Sequence, residues 1–315
     1  MRVVPLEEFR DRVSMTAAIG AMERAFRALA LGHATLPEPM AVELSRPFAE
    51  IHVKGAYLAG SRFIVFKVAT GFPANRERGL PGGDGLFLLL DAATGAPALL
   101  LEEHGYLTDL RTAAAIGLTL KFLAPAEVRR ALLIGAGGLA RLTARAMLAQ
   151  RPLERLTIWN RTPERAFALA EELGDTVPSG VATALEPAVR EHRLIVCVTS
   201  STQPLVLADW VAAGTHITSA GTDSPDKVEL EPALLARADK LFADRVSQTE
   251  QYGNLHHAIE AGVLTRRAVT GELGDLAAGR LPGRERPDEI TVADLTGVGV
   301  QDAAIAETVV EALGL

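Results

Sequence analysis

Three ionisable side chains, Lys67, Arg111 and Asp223, stand where their sequence surroundings could put them to chemical use. Lys67 interrupts Phe63-Ile-Val-Phe-Lys-Val-Ala69, an otherwise apolar stretch of extended character. A lysine buried there loses its hydration, so either its pKa falls or a carboxylate meets it. The same residue also fits a sheet edge, where its stem covers apolar surface and its ammonium reaches water. Arg111 falls in the first turn of a helix expected from Thr108, which Thr108 or Asp109 could cap. Its planar fork suits a carboxylate, although a surface ion pair would use it equally well. Asp223 follows the expected strand 215–220, in Gly221-Thr-Asp-Ser-Pro225. Catalytic groups concentrate beyond the carboxyl ends of parallel strands, but an ordinary turn aspartate fits this sequence too. His256 and His257 adjoin on an expected helix and read as solvated, and no His/Cys/Asp spacing suggests a metal site.

A second constellation concerns an anion rather than a proton. Ala131-Leu-Leu-Ile134 reads as a short buried strand running into Gly135-Ala-Gly137-Gly138-Leu139-Ala140 and then into helix formers up to Ala149. In such a turn Gly135 permits the tight bend, Gly137 lets backbone N–H groups approach a pyrophosphate, and Ala140 lets helix and strand pack closely. The helix N-terminus adds partial positive charge. Strand, turn and helix in this order point to a dinucleotide, more than to a structural turn alone. The next strand is expected to end in Trp159-Asn160-Arg161-Thr162. A carboxylate there would hold the ribose 2′-OH of NAD. None is present and Arg161 suits a 2′-phosphate, so NADP(H) is expected over NAD(H). Thr199, Ser200 and Ser201, at the end of the strand expected over 194–199, join the cofactor-binding set.

The elements that must position these residues fall into two groups. Residues 6–31 carry helical periodicity, and 37–103 change to strand texture at 50–57, 62–69, 85–91 and 98–102. Gly71–Asp84 is loop chemistry long enough to be an active-site loop. After Pro125 strands and helices alternate, with strands expected at 131–135, 156–160, 194–199, 215–220, 240–244 and 290–294. The fold class is therefore α/β: a Rossmann-type doubly wound parallel sheet plus a smaller α+β domain. The expected division is 1–120, joined by a C-terminal helix over 301–315, and 121–300.

Composition narrows the partners. At 315 residues and 48% apolar the chain reads as a globular protein of two domains, and a net charge of -7 argues against nucleic acid. The greasiest region, 86–101, is broken by Asp91, Gly95 and Pro97 and is too short to span a membrane. The N-terminus has no apolar signal region, and one cysteine, Cys197, fits a reducing cytoplasm.

Several spaced segments are jointly distinctive: Phe66-Lys-Val-Ala-Thr-Gly-Phe-Pro73, Leu110-Arg-Thr-Ala-Ala-Ala115, Gly135-Ala-Gly137, Ile158-Trp-Asn-Arg-Thr162, Gly221-Thr-Asp-Ser-Pro-Asp-Lys227 and Leu295-Thr-Gly-Val-Gly-Val-Gln-Asp302. In these, and over almost its whole length, the chain resembles the ornithine cyclodeaminase/mu-crystallin family. The resemblance implies a Rossmann domain and an N-terminal domain that carries substrate residues and forms a homodimer. It implies that Lys67 is the active-site lysine, Arg111 the substrate-carboxylate arginine and Asp223 the acid or base of the cyclodeaminases. Val298 and Gly299 lie in the segment that borders the nicotinamide in that family. The chain also departs from the pattern. A second carboxylate-holding arginine falls on Met40, with Arg46 the nearest arginine. The ornithine-site glutamate falls on Lys54, and a hydroxyl-bearing loop position falls on Gly82.

The expected function is an NAD(P)(H)-dependent enzyme acting at the Cα–N bond of a small L-amino acid or its imine. Two other readings stand beside it: an imino acid reductase or alanine-dehydrogenase-like enzyme without cyclodeamination, and a non-catalytic NADPH-dependent binder. Lys67 and Asp223 are the expected catalytic groups, with Arg111, Lys54, Gly82 and Met40 around the substrate. If Lys54 and Lys67 share a face, surplus positive charge favours a substrate with a second anionic group over ornithine.

Overall fold

The computed structural model describes residues 1–46 and 48–315, the Arg76 side chain excepted. The chain divides into two compact units, 1–111 with 298–315, and 112–297.

In the first unit, period-two alternation builds a seven-stranded sheet. Its strands are β1 (Arg2–Pro5), β2 (Ala34–Thr35), β3 (Met40–Ser45), β4 (Phe48–Leu58), β5 (Phe63–Gly71), β6 (Gly83–Asp91) and β7 (Pro97–Glu102). The order is β1-β7-β6-β5-β4-β2, with β3 also on β4; β1 runs parallel to β7 and the remaining pairs are antiparallel. Along β5, Phe63, Val65 and Lys67 are buried, while Ile64, Phe66 and Val68 on the other face are half-buried. β1 and β3 escape the sequence patterns. Every residue of β3 is exposed, so no hydrophobic alternation announces it.

The periodicity over 6–31 suggests one helix, but the structure has two, α1 (Leu6–Phe9) and α2 (Met15–Ala30). The chain breaks at Asp11, whose φ of 61° is left-handed, and restarts at Ser14, whose Oγ accepts from the Ala17 N–H at 3.2 Å. Apolar spacing continues through a break that a capping serine imposes. The helix α3 (Tyr106–Leu123) begins before Thr108, and neither Thr108 nor Asp109 caps it. The buried Glu103 carboxylate does so, accepting from the N–H groups of Leu107 (2.7 Å) and Thr108 (3.2 Å). The long Glu103 side chain reaches into the first turn, a role local preference gives to shorter residues.

The second unit is organised by parallel strands, several of them apolar runs that become buried. These are β8 (Arg130–Ile134), β9 (Arg155–Trp159), β10 (Ser179–Val181), β11 (Leu194–Cys197), β12 (Thr202–Val206), β13 (His216–Ser219), β14 (Val228–Leu230), β15 (Lys240–Ala243), β16 (Gly271–Glu272) and β17 (Thr291–Asp294). Eight of them form one sheet, all pairs parallel, in the order β10-β9-β8-β11-β13-β17-β15-β16, while β12 pairs with β14 apart. The helices are α4 (Gly138–Gln150), α5 (Pro163–Leu173), α6 (Leu185–Glu191), α7 (Pro232–Arg237), α8 (Val246–Thr249), α9 (Gly253–Glu260) and α10 (Leu273–Ala277). The chain order reverses between β8 and β11, the switch point where α/β sheets of this class bind ligands. The last helix, α11 (Gly299–Leu313), returns to the first unit and packs on β4, β5 and α2. Ten of its residues from Gly299 to Val310 are buried, an extent a helix reaches only inside a core. Among the described residues, no helix is long and apolar enough to cross a membrane.

Candidate active site

The first unit gathers Lys67, Lys54 and Arg111 about a carboxylate that sequence reasoning did not single out. β5 lies between β4 and β6, so Lys67 is not an edge lysine; it is 2% exposed. Its Nζ stands 3.2 Å from Asp302 Oδ1, and Arg111 Nε stands 3.1 Å from the same oxygen. Both are charge contacts without hydrogen-bond alignment, and the buried Oδ2 has no hydrogen-bond partner among the described residues. Lys54 is paired directly opposite Lys67 in the β4–β5 register, which puts both amines on one face of the sheet.

Burial pushes the Lys67 ammonium down to about 8, with Arg111 and Lys54 adding to the fall and Asp302 and Glu103 opposing it. For Asp302, burial works against ionisation, but Lys67, Arg111 and Lys54 outweigh it and hold the carboxyl below its usual range. Asp109 rises to about 6 because it is buried and lies near Glu103. The result is a pair of buried cations, Lys67 and Arg111, joined by half-buried Lys54 about the Asp302 carboxylate, with a lysine able to exchange protons near neutral pH.

The structure does not bring Met40 into this group. Its register partner is Val53, so it lies on the sheet face opposite to Lys54 and is 58% exposed. Gly82 closes the loop after β5, its carbonyl accepting from the Phe72 N–H at 2.8 Å. Within that loop Pro73–Arg78 form a 3-10 turn. Val298 and Gly299 open α11. Gly299 packs on the backbone carbonyl of Gly55 with no room for a Cβ, a reason for glycine that is independent of any ligand.

In the second unit the glycine turn joins β8 to α4. Gly135 has φ 121°, and a Cβ there would stand 2.7 Å from the Val198 carbonyl. At Gly137, the N-cap of α4, an added Cβ would meet no atom of the described residues within 4 Å, and none of their side chains caps the helix. An uncapped helix start with open space before it fits a pyrophosphate, which Gly137, Gly138, Leu139 and Ala140 would hold. Asn160 donates through Nδ2 to the Thr162 carbonyl at 2.9 Å, and Arg161 is exposed beyond the end of β9.

The loops after β11 and β13 are tied together by Glu229, a second residue missed from sequence. Its Oε1 accepts from the Thr199 N–H (2.5 Å) and hydroxyl (2.7 Å), and its Oε2 from Ser219 Oγ (2.6 Å) and the Gly221 N–H (3.1 Å). Burial pushes the Glu229 carboxyl up, while these donors favour its ionised form. Ser201, beside exposed Ser200, turns its hydroxyl to the Gln203 carbonyl at 2.6 Å. Asp223 is exposed and pairs with Lys227 at 2.5 Å. The two histidines are half-buried rather than solvated: His256 meets Glu260 and His257 the Lys227 carbonyl. No sequence signal marked Glu229. Asp302 was within reach, since it ends the distinctive Leu295–Asp302 segment just as that segment turns into α11.

The chain matches known proteins over almost its whole length. The family model of the ornithine cyclodeaminase/mu-crystallin family matches residues 3–314. The chain is 40% identical over 310 residues to a Sinorhizobium fredii protein named an uncharacterized cyclodeaminase, covering 97% of this chain and 94% of that one. It is 35% identical over 311 residues to the iminosuccinate reductase of Paracoccus denitrificans, covering 99% and 96%. The Thermococcus litoralis Δ1-pyrroline-2-carboxylate reductase, solved with NADH and L-proline, superposes with a TM-score of 0.94 at 29% identity, covering 99% of this chain and 97% of that one. The chain therefore belongs to the ornithine cyclodeaminase/mu-crystallin family, as an NAD(P)(H)-dependent enzyme acting at the Cα–N bond of a small L-amino acid or its imine.

Proposed function

We propose that this enzyme reduces an acidic imino acid, a four-carbon dicarboxylic imine or one like it, to the L-amino acid. The observation that carries this reading is Lys54, whose register opposite Lys67 puts a cation where the family pattern has the ornithine-site glutamate. A second ammonium on the substrate would be repelled there, and a second carboxylate attracted. The named activity of the Paracoccus relative, iminosuccinate reductase, supports the same substrate class.

The chemistry follows from the side chains. Arg111, with Nε engaged on Asp302, presents the Nη edge of its fork to the α-carboxylate. Lys54 takes the second carboxylate. Lys67, protonated at neutral pH with its midpoint at about 8, gives a proton to the substrate nitrogen, and Asp223 serves as the further acid or base. When bound, the nicotinamide supplies the hydride that makes the new Cα–H bond as C=N becomes C–N. NADPH is preferred over NADH because Arg161, and no carboxylate, follows β9. The enzyme works in the reducing cytoplasm as a homodimer. The apolar half-buried sheet face of Ile64, Phe66, Val68, Leu88 and Leu100 supports docking of a second copy.

Cyclodeamination is the second reading, favoured by the retention of Asp223 and the name of the Sinorhizobium relative. A panel of oxaloacetate with ammonia, Δ1-pyrroline-2-carboxylate, pyruvate with ammonia and, in reverse, L-aspartate, L-proline, L-alanine and L-ornithine separates the two. Each is read at the nicotinamide absorbance with both cofactors, and for ammonia release. The dicarboxylic pair should give the highest kcat/KM. Efficient ornithine turnover with ammonia release would overturn the proposal.

A further inference from the structure

We propose that Asp302 is a positioning residue: one buried carboxylate oxygen holds the Lys67 amine and the Arg111 guanidinium together, so that proton donor and carboxylate anchor work from a single fixed point. The inference rests on the roles given above to Lys67 and Arg111, and adds a residue that acts through both. Three elements distant in sequence converge to make it. Lys67 comes from β5, Arg111 from the first two turns of α3 and Asp302 from the first turn of α11. Asp302 is fully buried and Oδ1 is shared at 3.2 and 3.1 Å, so the spacing of the two cations is set by one atom.

The seat of that atom is the packed start of its own helix. α11 begins at Gly299, pressed against the Gly55 carbonyl of β4, and the Val298 N–H donates to Gln301 Oε1 at 2.6 Å. A carboxylate in the first turn of a helix is also favoured by the helix dipole. Asp302 is thus placed by a helix start that packs on β4. Its Oδ2 lacks a hydrogen bond among the described residues, an arrangement that stability alone does not reward in a buried ion group.

Removing the charge has a definite consequence. The charged groups that act on Lys67 are Lys54 from β4, Arg111 from α3, Glu103 just before α3, and Asp302 from α11. Asp109 of α3 is coupled to Lys67 as well. Without Asp302, two buried cations face a third, and Glu103 remains on the α3 cap. Lys67 should then lose its proton at lower pH, and Arg111 should lose its fixed orientation.

The test reads Lys67 directly. The chain has five lysines, so [15N]lysine labelling gives a short spectrum in which Lys67 is assigned by its loss in Lys67→Met. In Asp302→Asn the Lys67 titration midpoint should fall by about one pH unit or more, as loss of a neighbouring opposite charge does. Asp302→Glu keeps the charge but moves it by one methylene. It should leave the midpoint close to that of the unmodified enzyme, yet raise KM for the imino acid by about tenfold through misplacement of Arg111. An unchanged midpoint in folded Asp302→Asn would overturn the proposal. Should that variant not fold, an unchanged KM in Asp302→Glu would do so. The titration needs no substrate, so it stands apart from the acidic-substrate reading. A lowered midpoint together with ornithine turnover would leave Asp302 in its role and remove only that reading.

Discussion

At Lys67 burial and charge pull in opposite directions, and the balance fixes what the residue can do. Burial costs the ammonium its hydration, Asp302 returns part of that loss, and the midpoint comes to about 8. Below that pH the amine is protonated and can donate, so imine reduction should slow as pH rises through about 8 while the reverse oxidation gains. Lys67→Met and Asp223→Asn should each lower turnover at least ~100-fold with cofactor binding kept, as loss of a proton-transfer group does. Normal turnover by both variants would remove the assignment. Lys54 is judged by charge reversal. Lys54→Glu should raise KM for a dicarboxylic substrate by about 10-fold or more and improve a diamino acid, in line with the worth of one partly desolvated charge contact. Equal effects on both substrates would show that Lys54 does not meet the side chain of either.

Among the elements, the end of β9 is where the proposed NADPH preference is tested. Arg161 is exposed where a carboxylate would select the 2′-hydroxyl, and a charge-assisted contact to a 2′-phosphate contributes about 1.5–3 kcal/mol. Arg161→Ala should therefore weaken NADPH at least ~10-fold and leave NADH unchanged, measured as dissociation constants by fluorescence. NADH already binding as tightly as NADPH would contradict it. The solved relatives from Thermococcus and Paracoccus hold NADH and NAD+, so a 2′-phosphate preference would distinguish this chain from them. Helix starts show where local rules suffice. Ser14 caps α2 as its type predicts, but α3 takes its cap from Glu103, a buried residue three positions ahead of Tyr106 that no local preference selects.

For the whole molecule, α11 carries a pH-dependent cost. Burial, with Glu311 one turn further on, raises Glu307 from 4.5 to about 7. The folded state then holds more protons than the unfolded chain between those values, so stability falls as pH rises through that window and the cost is complete above about 7. Glu307→Gln should unfold about 1–2 kcal/mol harder at pH 8 and about equally near pH 4, by urea titration at both pH values. An equal gain at both would mean that the group is not titrating. The sequence by itself determined what neighbours along the chain can specify. The apolar runs at β8 and β11 read as buried parallel strands, and Gly135–Ala140 as a tight turn into a helix, because side-chain period and backbone freedom are local properties. The spaced segments that carry the family resemblance were legible for the same reason. The tertiary structure alone decided that β5 is an interior strand, that Lys54 shares the face of Lys67 while Met40 does not, and that Asp302 stands between Lys67 and Arg111. A side chain's charge and aim are set by groups within a few ångströms of it, and here those groups arrive from β4, α3 and α11, which only folding brings together.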